Sequence, residues 1–206
     1  MKNVLTYTCL ILMLTSSFMV NAQIPSTEKQ YLLDFNKSTL GEQWQNKWNL
    51  QEDPSTWYGV EIKDGHVTAL KLYRNNLKGS IPDGISILSE LKTLNLAFNT
   101  IEGELPEDIY QLATLTSLKL EMNKLKGSLP QDYSKMTSLE ELSMFNNLLQ
   151  GAIPNGIGDI SNLKTLNLSS NYLEGSLPKS IEKLQKLERL ELFGNKLAGA
   201  IEVDLG

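Results

Sequence analysis

The feature that most constrains the fold is a 24-residue period that runs through most of the chain. Asparagine, glycine and proline recur at this spacing without an insertion or deletion between copies. A glycine follows each asparagine by four residues, and a proline follows each of the first five glycines by three. The asparagines are Asn75, Asn99, Asn123, Asn147, Asn171 and Asn195. A fixed period between about 20 and 50 residues is typical of solenoids, in which each copy is one structural unit. The sequence therefore predicts a stack of six units.

Leucines at fixed places in each copy predict how a unit is built. Leu94 and Leu96 alternate with polar residues, which is the pattern of a short strand whose leucines point inward. One unit cannot bury its apolar face alone, so stacking must place each leucine against its equivalents in neighbouring units. A second apolar column predicts short helical turns on the return side, at Ile85, Ile109, Tyr133, Ile157 and Ile181, and at Leu88, Leu112, Met136, Ile160 and Leu184.

The full pattern is Leu-x-x-Leu-x-Leu-x-x-Asn-x-Leu-x-Gly-x-Ile/Leu-Pro, which residues 163–178 follow throughout and residues 91–106 follow with Ile101 after the asparagine. It resembles the leucine-rich repeat, and its Gly-x-Ile/Leu-Pro ending resembles the plant-type subclass. The resemblance implies an α/β-type repeat solenoid. This is a right-handed superhelix with a parallel β-sheet on the concave face and short 3-10 or helical turns on the return side.

The repeated polar residues have a structural explanation before a functional one. An asparagine amide both donates and accepts hydrogen bonds, so a stacked ladder of asparagines can satisfy buried backbone groups in the turns. Glycine adopts backbone conformations closed to other residues, and proline fixes φ on the return segment. We therefore assign the Asn, Gly, Pro and Leu ladders to the fold and exclude them as functional sites.

The first 22 residues have the layout of a secretory signal peptide. Lys2 is followed by an apolar run from Val4 to Val20, with cleavage expected after Ala22; an uncleaved N-terminal anchor is the alternative. Cys9, the only cysteine, lies in this segment, so the mature chain has no disulfide. We expect a secreted or cell-surface protein. The lack of disulfides favours a Gram-negative bacterium as its source.

Residues 23–66 predict an N-terminal cap over the open end of the stack. A segment with helix-compatible apolar spacing precedes Trp44, Trp48 and Trp57, which are large enough to cover the exposed core. The run Trp57-Tyr58-Gly59-Val60 resembles the plant-type cap, in which two cysteines flank this motif. Ser55 and Ile62 stand at those positions here, which implies a cap held by packing.

The repeats are assigned to residues 67–206, with the sixth incomplete and no cap after it. This ending predicts either a fragment of a longer array or a last unit that frays or docks on a partner.

The composition offers few side chains that could act in catalysis. His66 is the only histidine, and we interpret it as a residue of the turn into the first repeat strand. The chain has no phosphate loop and no zinc or calcium spacing. A net charge of −5 without clustered Lys and Arg argues against binding nucleic acid. The sequence therefore predicts a protein that is not an enzyme and that needs no cofactor or metal.

A candidate binding surface comes from large side chains that the repeat pattern does not require. They lie just before the ladder asparagines, at Tyr73, Arg74, Phe98, Met122, Phe145 and Phe193. Aromatic residues and Met are enriched at protein interfaces, so we expect this row to bind a protein or peptide on the concave face. Three alternatives stay open. The row packs locally over the turns, or its rings stack on a glycan, or the chain is a repeat segment of a larger cell-surface receptor or adhesin.

Overall fold

A computed structural model describes residues 24–199. The predicted signal peptide and the last seven residues of the sixth repeat lie outside the described residues. Within them, one α-helix, α1 (Ser26–Ser38), precedes thirteen short strands and several 3-10 turns. The strands in chain order are β1 (Val60–Lys63), β2 (His66–Lys71), β3 (Lys78–Gly79), β4 (Thr93–Asn95), β5 (Thr100–Gly103), β6 (Ser117–Lys119), β7 (Lys124–Ser128), β8 (Glu141–Ser143), β9 (Leu148–Ala152), β10 (Thr165–Asn167), β11 (Tyr172–Gly175), β12 (Arg189–Glu191) and β13 (Lys196–Leu197).

The first sheet runs along the stack in the order β1-β2-β4-β6-β8-β10-β12. From β2 onward its strands are parallel and in register, so that Leu94 pairs with Leu118 and Leu118 with Leu142. All three leucines are fully buried. The predicted solenoid with parallel strands and stacked inward leucines is therefore confirmed.

The N-terminal edge of this sheet is an antiparallel hairpin that the repeat pattern does not predict. Strand β1 pairs antiparallel with β2 through a turn at Asp64 and Gly65, whose φ angles are 52° and 80°. Two consecutive positive φ angles are typical of the tight turns that join hairpin strands. The hairpin gives β2 a hydrogen-bonded neighbour where the parallel stack would otherwise expose a strand edge.

A second sheet follows the ladder asparagines, with the order β13-β11-β9-β7-β5-β3. The Asn-x-Leu-x-Gly segment of each repeat therefore forms a strand of its own. Its apolar residue points inward, since Leu77, Ile101, Leu125, Leu149 and Leu173 are all buried. The leucine pattern predicts one strand in each unit, and the structure gives each unit two.

The return side has the short turns that the apolar column predicts. They are 3-10 helices at Ile85–Ile87, Glu107–Gln111, Asn155–Asp159 and Lys179–Lys183. The repeat that contains Tyr133 has an irregular turn instead. There Asp132 Oδ1 accepts a hydrogen bond of 2.8 Å from the Ser134 amide. Local side-chain bonds of this kind offer the backbone an alternative to helical geometry.

Helix α1 and the three tryptophans pack against the first repeat. The aromatic rings form a continuous series, in which Phe35 contacts Trp44 at 6.2 Å between ring centroids, Trp44 contacts Trp48 at 4.9 Å, and Trp48 contacts Trp57 at 4.8 Å. Each indole N–H donates to a backbone carbonyl at 2.9 Å. The buried rings therefore also have hydrogen-bond partners for their N–H groups. Packing and hydrogen bonds together stabilise this end of the stack.

Candidate functional site

The geometry of the site begins with the ladder asparagines, which tie neighbouring turns together. Asn99 Nδ2 donates to the carbonyls of Leu72, Leu96 and Ala97 at 2.9, 2.8 and 3.1 Å. Its Oδ1 accepts from the amides of Asn75 and Leu77, both at 3.0 Å. Similar bonds surround the asparagines of the later repeats. One side chain therefore satisfies backbone groups in its own turn and in the preceding one.

The ladder continues into the N-terminal segment through Asn46, which the repeat pattern does not single out. Asn75 Oδ1 accepts from the backbone amide and the side-chain Nδ2 of Asn46, at 2.6 and 3.1 Å. Asn75 Nδ2 donates to the Asn46 carbonyl at 3.2 Å. Asn46 thus supplies the partners that a preceding repeat would give to Asn75.

These bonds hold the residue before each asparagine in a left-handed backbone conformation. The φ angle is 48° at Arg74, 57° at Phe98 and 57° at Met122, and Asn146 and Ser170 follow the same geometry. A left-handed conformation costs about 1–2 kcal/mol for a residue with a side chain. The same bend therefore recurs in successive repeats and places the candidate row just past the carboxyl ends of the first-sheet strands.

The structure divides the candidate row into two aromatic pairs. Tyr73 and Phe98 are 44% and 42% exposed, and their ring centroids lie 5.1 Å apart. Phe145 and Phe193 form the second pair at 6.3 Å, with Phe193 64% exposed. Arg74 is exposed at the end nearest the cap.

The second pair joins residues of repeats that are not adjacent. Phe145 and Phe193 belong to the fourth and sixth repeats, so their backbones are about 10 Å apart at ordinary strand spacing. Ser169 of the fifth repeat lies between them in register and is fully buried. The two rings therefore lean together over Ser169. The contact between the two rings buries part of their surface, as expected if the row packs locally. Most of the Phe193 side chain nevertheless remains exposed to solvent.

The third repeat, which contributes Glu121 and Met122, separates the two pairs. Met122 is partly buried, and its Sδ accepts from Asn146 Nδ2 at 3.0 Å. Glu121 Oε2 is buried and has no hydrogen-bond partner in the described part of the chain. Glu121 is not among the residues predicted from the sequence to bind a ligand. The sequence feature that could have identified it is a carboxylate at a repeat position that holds an aromatic residue, Phe145, in the next repeat.

The strand face beside the row is polar, and its charges are largely paired. Lys119 lies 2.9 Å from Glu141, and Lys71 lies 2.5 Å from Glu61. Exposed ion pairs of this kind add little to stability. These cations and carboxylates therefore already have partners when a ligand approaches, whereas Glu121 Oε2 has none among residues 24–199.

A smaller exposed apolar patch on the second sheet was also missed by the sequence analysis. Leu148 and Tyr172 are 43% and 51% exposed, and Lys196 Nζ lies 5.6 Å from the Tyr172 ring centroid. These residues follow the ladder asparagines by one position, where the repeat pattern sets no residue type.

His66 has a structural partner that its position in the sequence does not reveal. It begins β2, and its Nδ1 lies 2.6 Å from Oε1 of Glu28 in α1. Glu28 is only 3% exposed, and its Oε2 accepts from the Val67 amide at 2.8 Å. The hydrogen bond to the Glu28 carboxylate raises the pKa of His66 above its usual value of 6.5. The contact between His66 and Glu28 therefore helps to hold α1 against the first repeat.

This contact predicts a pH-dependent stability. A raised pKa in the folded state gives stabilisation that is complete below pH 6.5 and is lost as the pH rises through the raised value. We expect the stability difference between the parent chain and His66→Gln to be larger at pH 5.5 than at pH 9. Urea unfolding of both proteins at the two pH values measures it. An equal difference at both would show that the protonated histidine does not stabilise the cap.

Within residues 24–199, no three His, Cys, Asp or Glu side chains come together in a group that could hold a metal ion. No helix of the same range is long and apolar enough to cross a membrane.

A family model for a leucine-rich repeat region matches residues 65–197. The chain belongs to the leucine-rich repeat family. Among sequence relatives of this repeat protein, a probable inactive receptor kinase from Arabidopsis thaliana is 35% identical over 101 residues. The match covers 46% of the chain and 15% of the relative, so the repeat protein spans only a small part of that receptor.

Solved structures show the same plant-type architecture. The repeat ectodomain of the receptor kinase SOBIR1 from Arabidopsis thaliana has a TM-score of 0.73 at 27% identity, and the match covers 86% of this chain and 98% of that one. The Arabidopsis receptor kinase HAESA, in complex with the peptide hormone IDA and the co-receptor SERK1, has a TM-score of 0.76 at 27% identity. That match covers 84% of this chain and 30% of HAESA. The repeat protein is therefore similar to extracellular domains of cell-surface receptors.

Proposed function

We propose that the protein is a non-catalytic extracellular module that recognises a protein or peptide through the row of Tyr73, Arg74, Phe98, Met122, Phe145 and Phe193. The observation that carries the proposal is the exposure of Tyr73, Phe98 and Phe193 at bends where the fold requires no aromatic ring. Left-handed backbone conformations at Arg74, Phe98 and Gly194 form the bends that place these rings along one edge of the first sheet. Rings fixed in this way lose little entropy when a ligand covers them, which favours binding.

The similarity to receptor ectodomains supports the same function. HAESA is crystallised with a peptide hormone and a co-receptor, and another similar structure is a complex of BIR3 with SERK2. We extend the general mode, recognition of a polypeptide by the repeat surface, to this chain. Within the proposal, residues 1–22 are a cleaved signal peptide, residues 23–66 are the cap, and residues 67–206 are the repeats.

The proposed location is the cell surface or the extracellular medium. We favour export from a Gram-negative bacterium, because the only cysteine is Cys9 and the cap is held by packing. The relatives described above are from Arabidopsis thaliana, so the argument for a bacterial source rests on this chain's own residues.

The proposal predicts that Phe98 and Phe145 contribute to binding and little to folding. We expect peptides selected from a random phage-displayed library on the purified protein to bind the double variant Phe98→Ala/Phe145→Ala at least about tenfold more weakly, because buried aromatic anchors dominate interface energies. Surface plasmon resonance measures the affinity. Thermal unfolding should show that the variant keeps most of its stability, since Phe98 is 42% exposed and Phe145 is partly exposed.

Tyr172→Ala is the matched control, because it removes an exposed aromatic ring from the second sheet. The control variant should bind the peptides as the parent protein does. Equal binding by the double variant would contradict the proposal. The glycan alternative would be favoured instead if a glycan array, and not the peptide library, yielded ligands whose binding depends on Phe98 and Phe145.

A further inference from the structure

The two aromatic pairs are separated by a carboxylate that lacks a partner. Glu121 occupies the same repeat position as Phe145. Its backbone carbonyl accepts from the Phe98 amide at 2.9 Å, and the next residue, Met122, donates its amide to the Phe145 carbonyl at 2.8 Å. The backbone therefore places Glu121 between Phe98 and Phe145, one residue from each pair. We call this gap, formed by Glu121 and Met122, the central gap.

The Glu121 side chain is partly exposed, but one oxygen of its carboxylate is buried. Oε2 is buried and has no hydrogen-bond partner among the described residues, although a buried acceptor without a donor is unfavourable. The lysine two residues before it, Lys119, is bonded to Glu141 at 2.9 Å. Carboxylates nearby in the first sheet have donors, including Glu141 and Glu191. Within residues 24–199 the fold thus gives Glu121 Oε2 no donor, although it gives donors to these neighbouring carboxylates.

We propose that the central gap is a specificity site for a lysine or arginine side chain of the bound peptide; this inference rests on the proposed function of the row. A cation entering the gap supplies charge-assisted hydrogen bonds to Glu121. The Sδ of Met122 and the alkyl part of a long cationic side chain add apolar contact.

The charge of the protein also favours one class of ligand side chain in the central gap. The chain has a net charge of −5, which favours approach of a basic peptide over an acidic one. A bare metal ion fits poorly, because Glu121 belongs to no group of three metal-ligating side chains within residues 24–199. An acidic or neutral side chain would leave the Glu121 carboxylate buried beneath the ligand without a counter-charge.

The test uses the same random peptide library with three single variants. Peptides selected on the parent protein should be enriched in Lys or Arg at one position. Glu121→Gln keeps the side-chain shape and removes the charge, so this enrichment should disappear. Glu121→Lys should select Asp or Glu at the same position. Glu102→Gln, which removes an exposed carboxylate of the second sheet, is the matched control and should keep the parent preference.

A double-mutant cycle measures the contact itself. Replacing the selected Lys or Arg of one peptide by norleucine should weaken its binding to the parent protein at least about tenfold and change binding to Glu121→Gln by less than about twofold. An equal loss on both proteins would overturn the inference, as would a cation preference that survives in Glu121→Gln. Peptides that need Phe98 and Phe145 but show no cation preference would overturn it and leave the proposed function intact. A library that yields no binder would overturn both.

Discussion

Replacing Asn99 by Ala should lower the free energy of unfolding by about 3 kcal/mol. The side chain is 8% exposed and bonds five backbone groups in two successive turns. Without Oδ1, the fully buried amides of Asn75 and Leu77 lose an acceptor. Each buried polar group left unpaired costs about 1–3 kcal/mol, and alanine has no atom that could replace either function of the amide. The left-handed bend at Phe98 also loses bonds that hold it.

Asn95→Ala is the matched control in the same repeat. Asn95 is partly exposed, and its Oδ1 accepts one hydrogen bond, from the Ala97 amide at 3.2 Å. Its loss should cost about 1 kcal/mol, the usual net value of a single hydrogen bond. Urea unfolding followed by circular dichroism compares both variants with the parent chain. Similar losses for Asn95→Ala and Asn99→Ala would mean that the ladder bonds do not dominate the stability of the turn.

Replacing Gly79 by Ala should destabilise the protein by about 3 kcal/mol, clearly more than the same change at Gly103. The two glycines occupy equivalent repeat positions with φ angles of 86° and 87°, so the left-handed strain of about 1–2 kcal/mol is common to both. They differ in what a new methyl group would meet. At Gly79 it would overlap the carbonyl oxygen of Ser38 at the end of α1, whereas at Gly103 it would meet Ser80 Cβ at an ordinary 3.5 Å. Forcing α1 away should add about 1–3 kcal/mol.

Tryptophan fluorescence gives this comparison a second readout. All three tryptophans, Trp44, Trp48 and Trp57, lie in the segment that packs with α1. We expect a shifted emission maximum for Gly79→Ala and an unchanged one for Gly103→Ala. Indistinguishable spectra and stabilities would show that the end of α1 does not approach Gly79 as closely as described.

The repeat architecture was predictable because each unit repeats the same physical constraints. A leucine that must face its equivalent in the next unit, such as Leu94 against Leu118, recurs at the period of the stack and is visible in the sequence. The 3-10 turns on the return side follow from the same periodicity. The repeat that contains Tyr133 departs from it because Asp132 bonds the backbone locally.

The hairpin and the second sheet were also encoded, although less visibly. Asp64-Gly65 between two β-forming runs is a common hairpin signal, and it specifies the turn between β1 and β2. The second-sheet strands have two to five residues each, and several depend on pairing with neighbouring repeats for their hydrogen bonds. Strands this short have too few residues for a clear period-two pattern, so sequence periodicity could not separate them from turn.

The candidate site was predictable in part. The six residues of the row were selectable from the sequence because the repeat pattern does not require them. Their grouping depended on three dimensions, since Phe145 meets Phe193 across a repeat, above Ser169. The contact between Glu28 and His66 joins residues 38 positions apart and belongs to no repeat. No spacing in the sequence reports such a contact.

The 24-residue period by itself determined the solenoid, the inward leucines and the structural role of the asparagines, because stacking identical units forces identical residues into identical places. Only the tertiary structure decided how the non-repeating side chains combine. It paired the aromatic rings and fastened α1 to the first repeat through His66. In the part of the chain that it describes, it also gives Glu121 Oε2, between the two pairs, no donor. Such contacts depend on which side chains meet across neighbouring turns, and a repeat fixes the positions of those side chains without fixing their chemistry.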